Sequence, residues 1–488
     1  MKKHYALPRL FLFISIAFFT TVSASASKEQ VRFAGYWQGP HPELDHVKFI
    51  LNIKPSTRGR WTADGFWVDG KIYHSQFSLN VISITDQDIE VDFADWGCVY
   101  HGSLGDNGQK IKGEFVCTGE APDSVTLIRA NKSDYFGLYP EHLGTSGEFQ
   151  YAYTVPSAIT DGLPTGNLLD AGLSPVTIEK MVHNMALGKY GRLHSFLIIK
   201  NSKLVCEEYF YGFRRDVLHP VESVTKSVTS LLIGMAIDDQ KISRVDDRVL
   251  NYFPAGDYPG LSSYENLKIE HLLTMTSGLA IDEREMIARP DRLVYLLHRR
   301  FKAKPGEQFS YNAGNTELLG AILKSATGLF ADVLARERLF KPLHITDFQW
   351  HIYKQNGYPL CGGALALLPR DLAKIGMLVL QNGQWEGKQI ISRSWIKQST
   401  LGRIETGIDG DRYGYQWWVT TVKSGDRDFD LIWANGLGSQ FIFIFPQLDM
   451  VIVTTGGNWE GGNNGRSWDI FDLFKAYLHE LEVQDESP

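Results

Sequence analysis

Ser223 and Lys226 stand three residues apart in the run His219-Pro220-Val221-Glu222-Ser223-Val224-Thr225-Lys226. On a helix this spacing places both side chains on one face, with Cβ atoms about 5–6 Å apart. A serine hydroxyl becomes a nucleophile when a base within hydrogen-bond reach takes its proton. A lysine can be that base where burial or nearby positive charge leaves its amine partly neutral. A serine at a helix start also sets its acyl oxyanion beside free main-chain N–H groups and the positive end of the dipole. Ser-x-x-Lys alone is a weak signal, since it recurs by chance and usually marks an exposed helix face. Here the following residues, Ser227 to Ala236, are apolar enough for a buried helix.

The elements that must position this pair read as mixed α and β. Leu193 to Lys200 and Leu204 to Tyr209 form a hairpin across Asn201-Ser202, and helical patterns dominate from Val221 to about Gln398. Strand patterns return at Tyr413 to Val422, Gln440 to Phe445 and Met450 to Thr455. A terminal helix follows, with Ile470, Leu473, Phe474, Tyr477, Leu478 and Leu481 on one face. Two strands early and three late predict an antiparallel sheet built from both ends of the region, with a mostly helical insert.

Ahead of it, seven segments from Val47 to Ile128 have strand character and are bounded by Gly, Asp, Pro or Asn. They predict a small antiparallel barrel or sandwich, either a packing and positioning module or a binder of a ligand or glycan. Gly35-Tyr36-Trp37-Gln38-Gly39 resembles the opening of lipocalin-like barrels. Asn107-Gly108 predicts a two-residue type I′ turn. Opposite residues then have numbers summing to 215, as Cys98 and Cys117 do, which makes a cross-strand disulfide plausible. Counting outward from that turn makes them a hydrogen-bonded pair, the less favourable kind for a bridge. Cys206 and Cys361 read as buried apolar side chains.

The chain has 488 residues, 43% of them hydrophobic and 22% charged, which excludes a disordered protein. Its net charge of −7 gives no electrostatic footprint for nucleic acid, and four Cys are too few for a Cys-rich zinc module. Lys2, Lys3 and Arg9, the apolar run Leu10 to Phe19 and Ala24-Ser25-Ala26 fit a cleaved export signal. The expected organisation is a signal peptide over 1–26, the barrel over 27–130, a packed linker over 131–168 and the mixed α/β domain over 169–488. The mature chain is expected to be periplasmic or secreted, without stable membrane insertion.

Several motifs in order resemble the penicillin-recognising serine hydrolases, the group of class C β-lactamases, DD-peptidases and related esterases and amidases. Ser223-Val224-Thr225-Lys226 resembles their first motif, and Glu270-His271-Leu272-Leu273-Thr274-Met275-Thr276-Ser277-Gly278-Leu279 looks like "HLLTHTSGL". Pro305 to Asn312 with Leu318-Leu319-Gly320 resembles "PGxxFxYSN…LLG". Gly362-Gly363 through Pro369-Arg370-Asp371-Leu372-Ala373 is similar to "GG…PRDLA", and Tyr413 to Trp418 to "YGYLWW".

This resemblance implies a β-lactamase-like α/β domain, an antiparallel sheet flanked by helices plus a helical subdomain, behind the small β-barrel. It implies Tyr311 as the second-motif residue sharing the proton relay, main-chain N–H groups of Ser223 and Leu437 as oxyanion hole, and no cofactor. Two departures stand out. The asparagine of Tyr-x-Asn is shifted to Asn312, and the cation of the third motif is missing from Ala434-Asn435-Gly436-Leu437. Asn312 and Gly436 are expected at the substrate. The pattern resembles the esterase and 6-aminohexanoate-dimer hydrolase branch, with a small ester or amide as substrate. The alternatives are a DD-peptidase or β-lactamase, which wants a partner for the substrate carboxylate, and a non-catalytic binding protein on the same scaffold. No Gly-x-Ser-x-Gly elbow, His-Glu-x-x-His or Walker pattern competes.

Overall fold

Eight antiparallel strands, each paired with the next, close the N-terminal region into a barrel. The computed structural model describes residues 30–130 and 151–481, apart from short connecting stretches of which 254–263 and 459–468 are the longest. The expected signal segment, 1–26, lies outside the described residues. The barrel strands are β1 (Gly35–Pro40), β2 (Val47–Pro55), β3 (Trp61–Asp69), β4 (Ile72–Ile84), β5 (Asp88–Phe93), β6 (Cys98–Leu104), β7 (Lys110–Cys117) and β8 (Asp123–Ala130). The Gly35–Gly39 motif is itself a strand, and it closes the barrel by pairing Tyr36 with Ala130. Side chains alternate across the pleat, so Leu51, Val91, Phe93, Tyr100, Ile111, Phe115 and Leu127 share one buried interior with Trp37. The Arg129 guanidinium lies 4.0 Å over the Trp37 ring and donates to the Ala34 carbonyl at 2.6 Å, pinning the chain before β1 to the last strand.

The β6–β7 hairpin corrects one sequence expectation and explains another. Cys98 opposes Cys117 and the two form a disulfide with a Cα–Cα distance of 4.0 Å. The turn, however, is not the two-residue I′ type. The Gly105 N–H donates to the Lys110 carbonyl at 2.8 Å, leaving residues 106–109 as the connection. A four-residue loop centred on the same point keeps the sum of 215 but shifts the hydrogen-bonded positions by one. Cys98–Cys117 therefore falls on a non-hydrogen-bonded pair, where Cβ atoms stand closer and a bridge fits better.

In the second region, α1 (Pro175–Ala186) precedes the hairpin β9 (Leu193–Lys200) and β10 (Lys203–Tyr209). The helical part holds β11 (His219–Pro220), α2 (Val224–Asp238), α3 (Ile269–Leu273), α4 (Glu283–Ile287), α5 (Arg292–Leu297), α6 (Ala313–Thr327) and α7 (Ala331–Ala335). It continues with β12 (Phe348–Trp350), β13 (Leu365–Leu367), α8 (Pro369–Leu380), the short hairpin β14 (Gln384–Trp385) and β15 (Lys388–Gln389), and α9 (Arg393–Ser399). The chain returns through β16 (Ile404–Glu405), β17 (Arg412–Tyr413), β18 (Trp418–Ser424), β19 (Arg427–Gly436), β20 (Gln440–Phe445) and β21 (Met450–Gly456) to α10 (Asp469–Tyr477).

The central sheet has the order β10-β9-β21-β20-β19-β18-β17-β16. Both its faces are covered. Ile442 and Ile444 of β20 pack into the core that contains α2, α6 and α8, while Phe441, Phe443 and Phe445 pack into the core with α1 and α10. Strand β19 is absent from the sequence reading, because its outer residues Arg427, Asp428 and Asp430 hide the inward period of Phe429, Leu431 and Trp433. Residues 151–166 lie along edge strand β10. Leu204 donates to the Pro164 carbonyl at 2.8 Å and Gly166 to the Leu204 carbonyl at 3.0 Å, and the Tyr153 hydroxyl donates to the Val205 carbonyl at 2.9 Å. Arg370, at the start of α8, clamps the same segment. Its guanidinium forks onto Glu207 at 2.7 and 2.6 Å and reaches Asp161 at 3.2 Å and the Ser157 carbonyl at 2.8 Å. The motif Pro369-Arg370-Asp371 is thus structural. Strand β4 of the barrel runs beside β11, which leads into the Ser223 loop.

Candidate active site

Ser223 is the N-cap of α2, and the residue before it, Glu222, holds a left-handed backbone at φ 49°. That sharp turn is fixed on both sides. The Val221 N–H donates to the Leu365 carbonyl of β13 at 2.8 Å, and Thr225 and Lys226 N–H groups close onto the Glu222 and Ser223 carbonyls at 3.0 Å. The hydroxyl of Ser223 is presented at the mouth of a helix whose remaining turns are buried.

Lys226 is only 3% exposed. Its Nζ donates to Ser223 Oγ at 2.8 Å and also to the carbonyl oxygen of Gly362. An amine shut away from bulk water and hydrogen-bonded to a serine hydroxyl is the geometry a base needs. Burial also acts on Glu222: it pushes the carboxyl up to about 7, against the opposing pull of the Lys226 charge.

Tyr311 stands on the other side of the amine, with its ring centre 5.1 Å from Lys226 Nζ. It is 37% exposed, and its ring leans on Trp418 at 5.6 Å and meets Tyr413 edge-on at 6.2 Å. Phe309 packs on the same Tyr413 and Trp418. The Tyr311 hydroxyl forms no hydrogen bond among the described residues, so it is free to meet a substrate atom. Of the neighbouring tryptophans, Trp417 is wholly in the core and Trp418 supports Tyr311.

Asn312 and Gly436 both have structural work within the chain. Asn312 is the N-cap of α6 and is 6% exposed. Its Oδ1 accepts from the Asn315 N–H at 2.9 Å and its Nδ2 donates to the Ser310 carbonyl at 2.7 Å, so both ends of the amide are spent on its own chain. Gly436 ends β19 directly over the nucleophile turn, where a Cβ atom would come within 2.3 Å of the Val221 carbonyl oxygen. The glycine is required by that approach of backbone to backbone. It brings the following residue, Leu437, beside the start of α2. Leu437 is 44% exposed, and neither its N–H nor that of Ser223 has a partner among the described residues.

Three further residues shape the site without a strong sequence signal. Gly362 contributes a carbonyl to Lys226. Glu317 of α6 accepts from the Gly362 and Cys361 N–H groups at 3.0 and 3.2 Å. Gln416, at φ 63°, ties three helices together: its Nε2 donates to the Leu272 and Leu273 carbonyls, its Oε1 accepts from Thr316 and its carbonyl accepts from Ser227. Gln416 stands where the resembling motif has leucine, and Gly362 opens the Gly-Gly motif; these are the visible hints. A main-chain carbonyl leaves no trace in residue types.

Known proteins match the same region. Residues 194–458, over half of the chain, match the family described as Beta-lactamase. The 6-aminohexanoate-dimer hydrolase of Paenarthrobacter ureafaciens is 24% identical across 57% of this chain and 77% of its own length. Among solved structures, a putative 6-aminohexanoate-dimer hydrolase from Bacillus anthracis aligns with a TM-score of 0.50 at 21% identity, covering 66% of this chain and 85% of that one. A family VIII carboxylesterase aligns with a TM-score of 0.51 at 16% identity, covering 67% and 100%. With the motifs in order and the fold in common, the chain belongs to the beta-lactamase family and is a serine hydrolase.

Proposed function

We propose that the protein is an exported esterase or amidase that works through an acyl-enzyme on Ser223, with Lys226 and Tyr311 as its acid–base pair. One observation carries this reading: the buried amine of Lys226 lies 2.8 Å from Ser223 Oγ. In the neutral form that amine accepts the hydroxyl proton as Oγ attacks the carbonyl carbon. The proton passes to the leaving alkoxide or amine, with the exposed Tyr311 phenol beside it, and water then attacks the acyl-enzyme under the same base. The free N–H groups of Ser223 and Leu437 receive the oxyanion.

An ester or amide that needs no cation at the third-motif position fits best. Ala434 replaces the third-motif cation and is buried in the core, so that position offers nothing to a β-lactam or peptide carboxylate. The relatives named 6-aminohexanoate-dimer hydrolase and carboxylesterase support the same branch. Export is supported by the N-terminal charge and apolar pattern and by the Cys98–Cys117 bridge, since disulfides persist in oxidising compartments. Ser223→Ala is expected to abolish nitrophenyl ester hydrolysis and fluorophosphonate labelling with an unchanged circular dichroism spectrum. Undiminished turnover in that variant refutes the assignment, and covalent capture of a labelled penicillin by the wild type redirects it to β-lactams.

A further inference from the structure

We propose that Glu317 is a positioning residue for the nucleophile, acting through the Cys361–Gly362 backbone that leads into the carbonyl holding Lys226. The proposal rests on the reading of Ser223 and Lys226 given above. A lysine side chain has four rotatable bonds, and a single contact to Ser223 does not fix where its amine points. The second acceptor does so, and that acceptor is the Gly362 carbonyl.

The backbone that leads into the Gly362 carbonyl is held from both sides. On the α6 side, the two carboxylate oxygens of Glu317 take the successive N–H groups of Cys361 and Gly362, at 3.2 and 3.0 Å. Hydrogen bonds to a charged acceptor are about twice as strong as neutral ones. On the α2 side, the Thr229 hydroxyl, one turn beyond Lys226, shares its proton between the Thr225 carbonyl at 3.1 Å and the Cys361 carbonyl at 3.2 Å. The loop can lie this close because residue 362 has no side chain: a Cβ would stand 2.7 Å from the Ala313 Cβ and 3.0 Å from Glu317 Oε1. Helix α6 therefore carries Glu317 while Tyr311 stands just ahead of its N-cap, so one rigid element sets both the base's anchor and its aromatic neighbour. Burial pushes the Glu317 carboxyl above its usual range, against the opposing pull of the Arg292 charge, the Gly362 and Cys361 N–H groups and the Lys226 charge.

The test compares Glu317→Met, which keeps the length and removes both acceptors, with Glu317→Gln, which keeps one. Both are made in the full chain and assayed with p-nitrophenyl acetate and a fluorophosphonate probe. An amine displaced by about 1 Å costs on the order of a hundredfold in rate. Glu317→Met is expected to lose about that factor in kcat with KM unchanged, and to label in proportion more slowly. Glu317→Gln is expected between it and the wild type. A wild-type kcat in either variant overturns the proposal, as does a Gln variant no better than Met. If Glu317→Met does not fold, the kcat of Glu317→Gln decides alone. Ser223→Ala separates the two claims: turnover in that variant defeats the nucleophile assignment, whereas a silent Ser223→Ala beside a fully active Glu317→Met defeats only the positioning role.

Discussion

In the barrel every strand pairs with its neighbour in sequence, and only β1 and β8 meet across the whole region. In the hydrolase domain β9 pairs with β21, and Ser195 and Thr455 share a hydrogen bond although 260 residues separate them. The barrel is thus a series of local hairpins. The hydrolase domain is a set of crossings, and its site lies where they meet: Ser223 and Lys226 from α2, Tyr311 from the approach to α6, Gly362 from the loop before β13, and Leu437 from the end of β19. Damage to a local ladder should cost stability and leave catalysis alone. Damage to a crossing should do the reverse.

The largest expected effect is on the barrel side. Replacing both Cys98 and Cys117 with serine removes a cross-link that closes 19 residues, and loops of this size are worth about 3 kcal/mol. Denaturant unfolding followed by barrel tryptophan fluorescence should show that loss, with ester turnover unchanged. A parallel fall in turnover would mean that the two regions are not separable in this way.

Gly436→Ala attacks a crossing. Its Cβ would meet the Val221 carbonyl at 2.3 Å, forcing the nucleophile turn away from the 436–437 peptide. About a hundredfold loss in kcat is expected, with the barrel's unfolding midpoint unmoved. A variant with wild-type kcat would show that the turn can give way without harm.

The smallest effect is electrostatic. Burial raises the Glu222 carboxyl from 4.5 to about 7, so the folded protein holds this proton more tightly than the unfolded chain does. Its contribution to stability is full below about 4.5 and is lost as pH rises through about 7. Glu222→Gln should therefore match the wild type in melting temperature at pH 5 and exceed it at pH 8. A difference that is constant across that range speaks against the shift.

The same contrast decides what could be read from residues alone. The barrel's strands are legible because each is punctuated by turn residues, and the 98/117 register follows from the centre of a loop whatever its length. The pairing parity does not, since it depends on whether two residues or four make the turn. Ser223 and Lys226 are legible because a helix converts spacing into proximity. Glu317 and Gly362 are 45 residues apart, and the Gly362 side of the bond is a main-chain N–H that every residue but proline possesses. Asn312 is legible in another way: the local rule that asparagine caps helices accounts for its contacts within the chain.

The strap formed by residues 151–166 has a practical consequence for anyone separating the two regions. It occupies the open flank of β10, whose main-chain groups would otherwise be available to a strand from another molecule. A truncated hydrolase that begins after this segment would carry a bare sheet margin and leave the Arg370 guanidinium buried without its Asp161 and Ser157 partners. The shortest version that protects itself from self-association starts ahead of Tyr151.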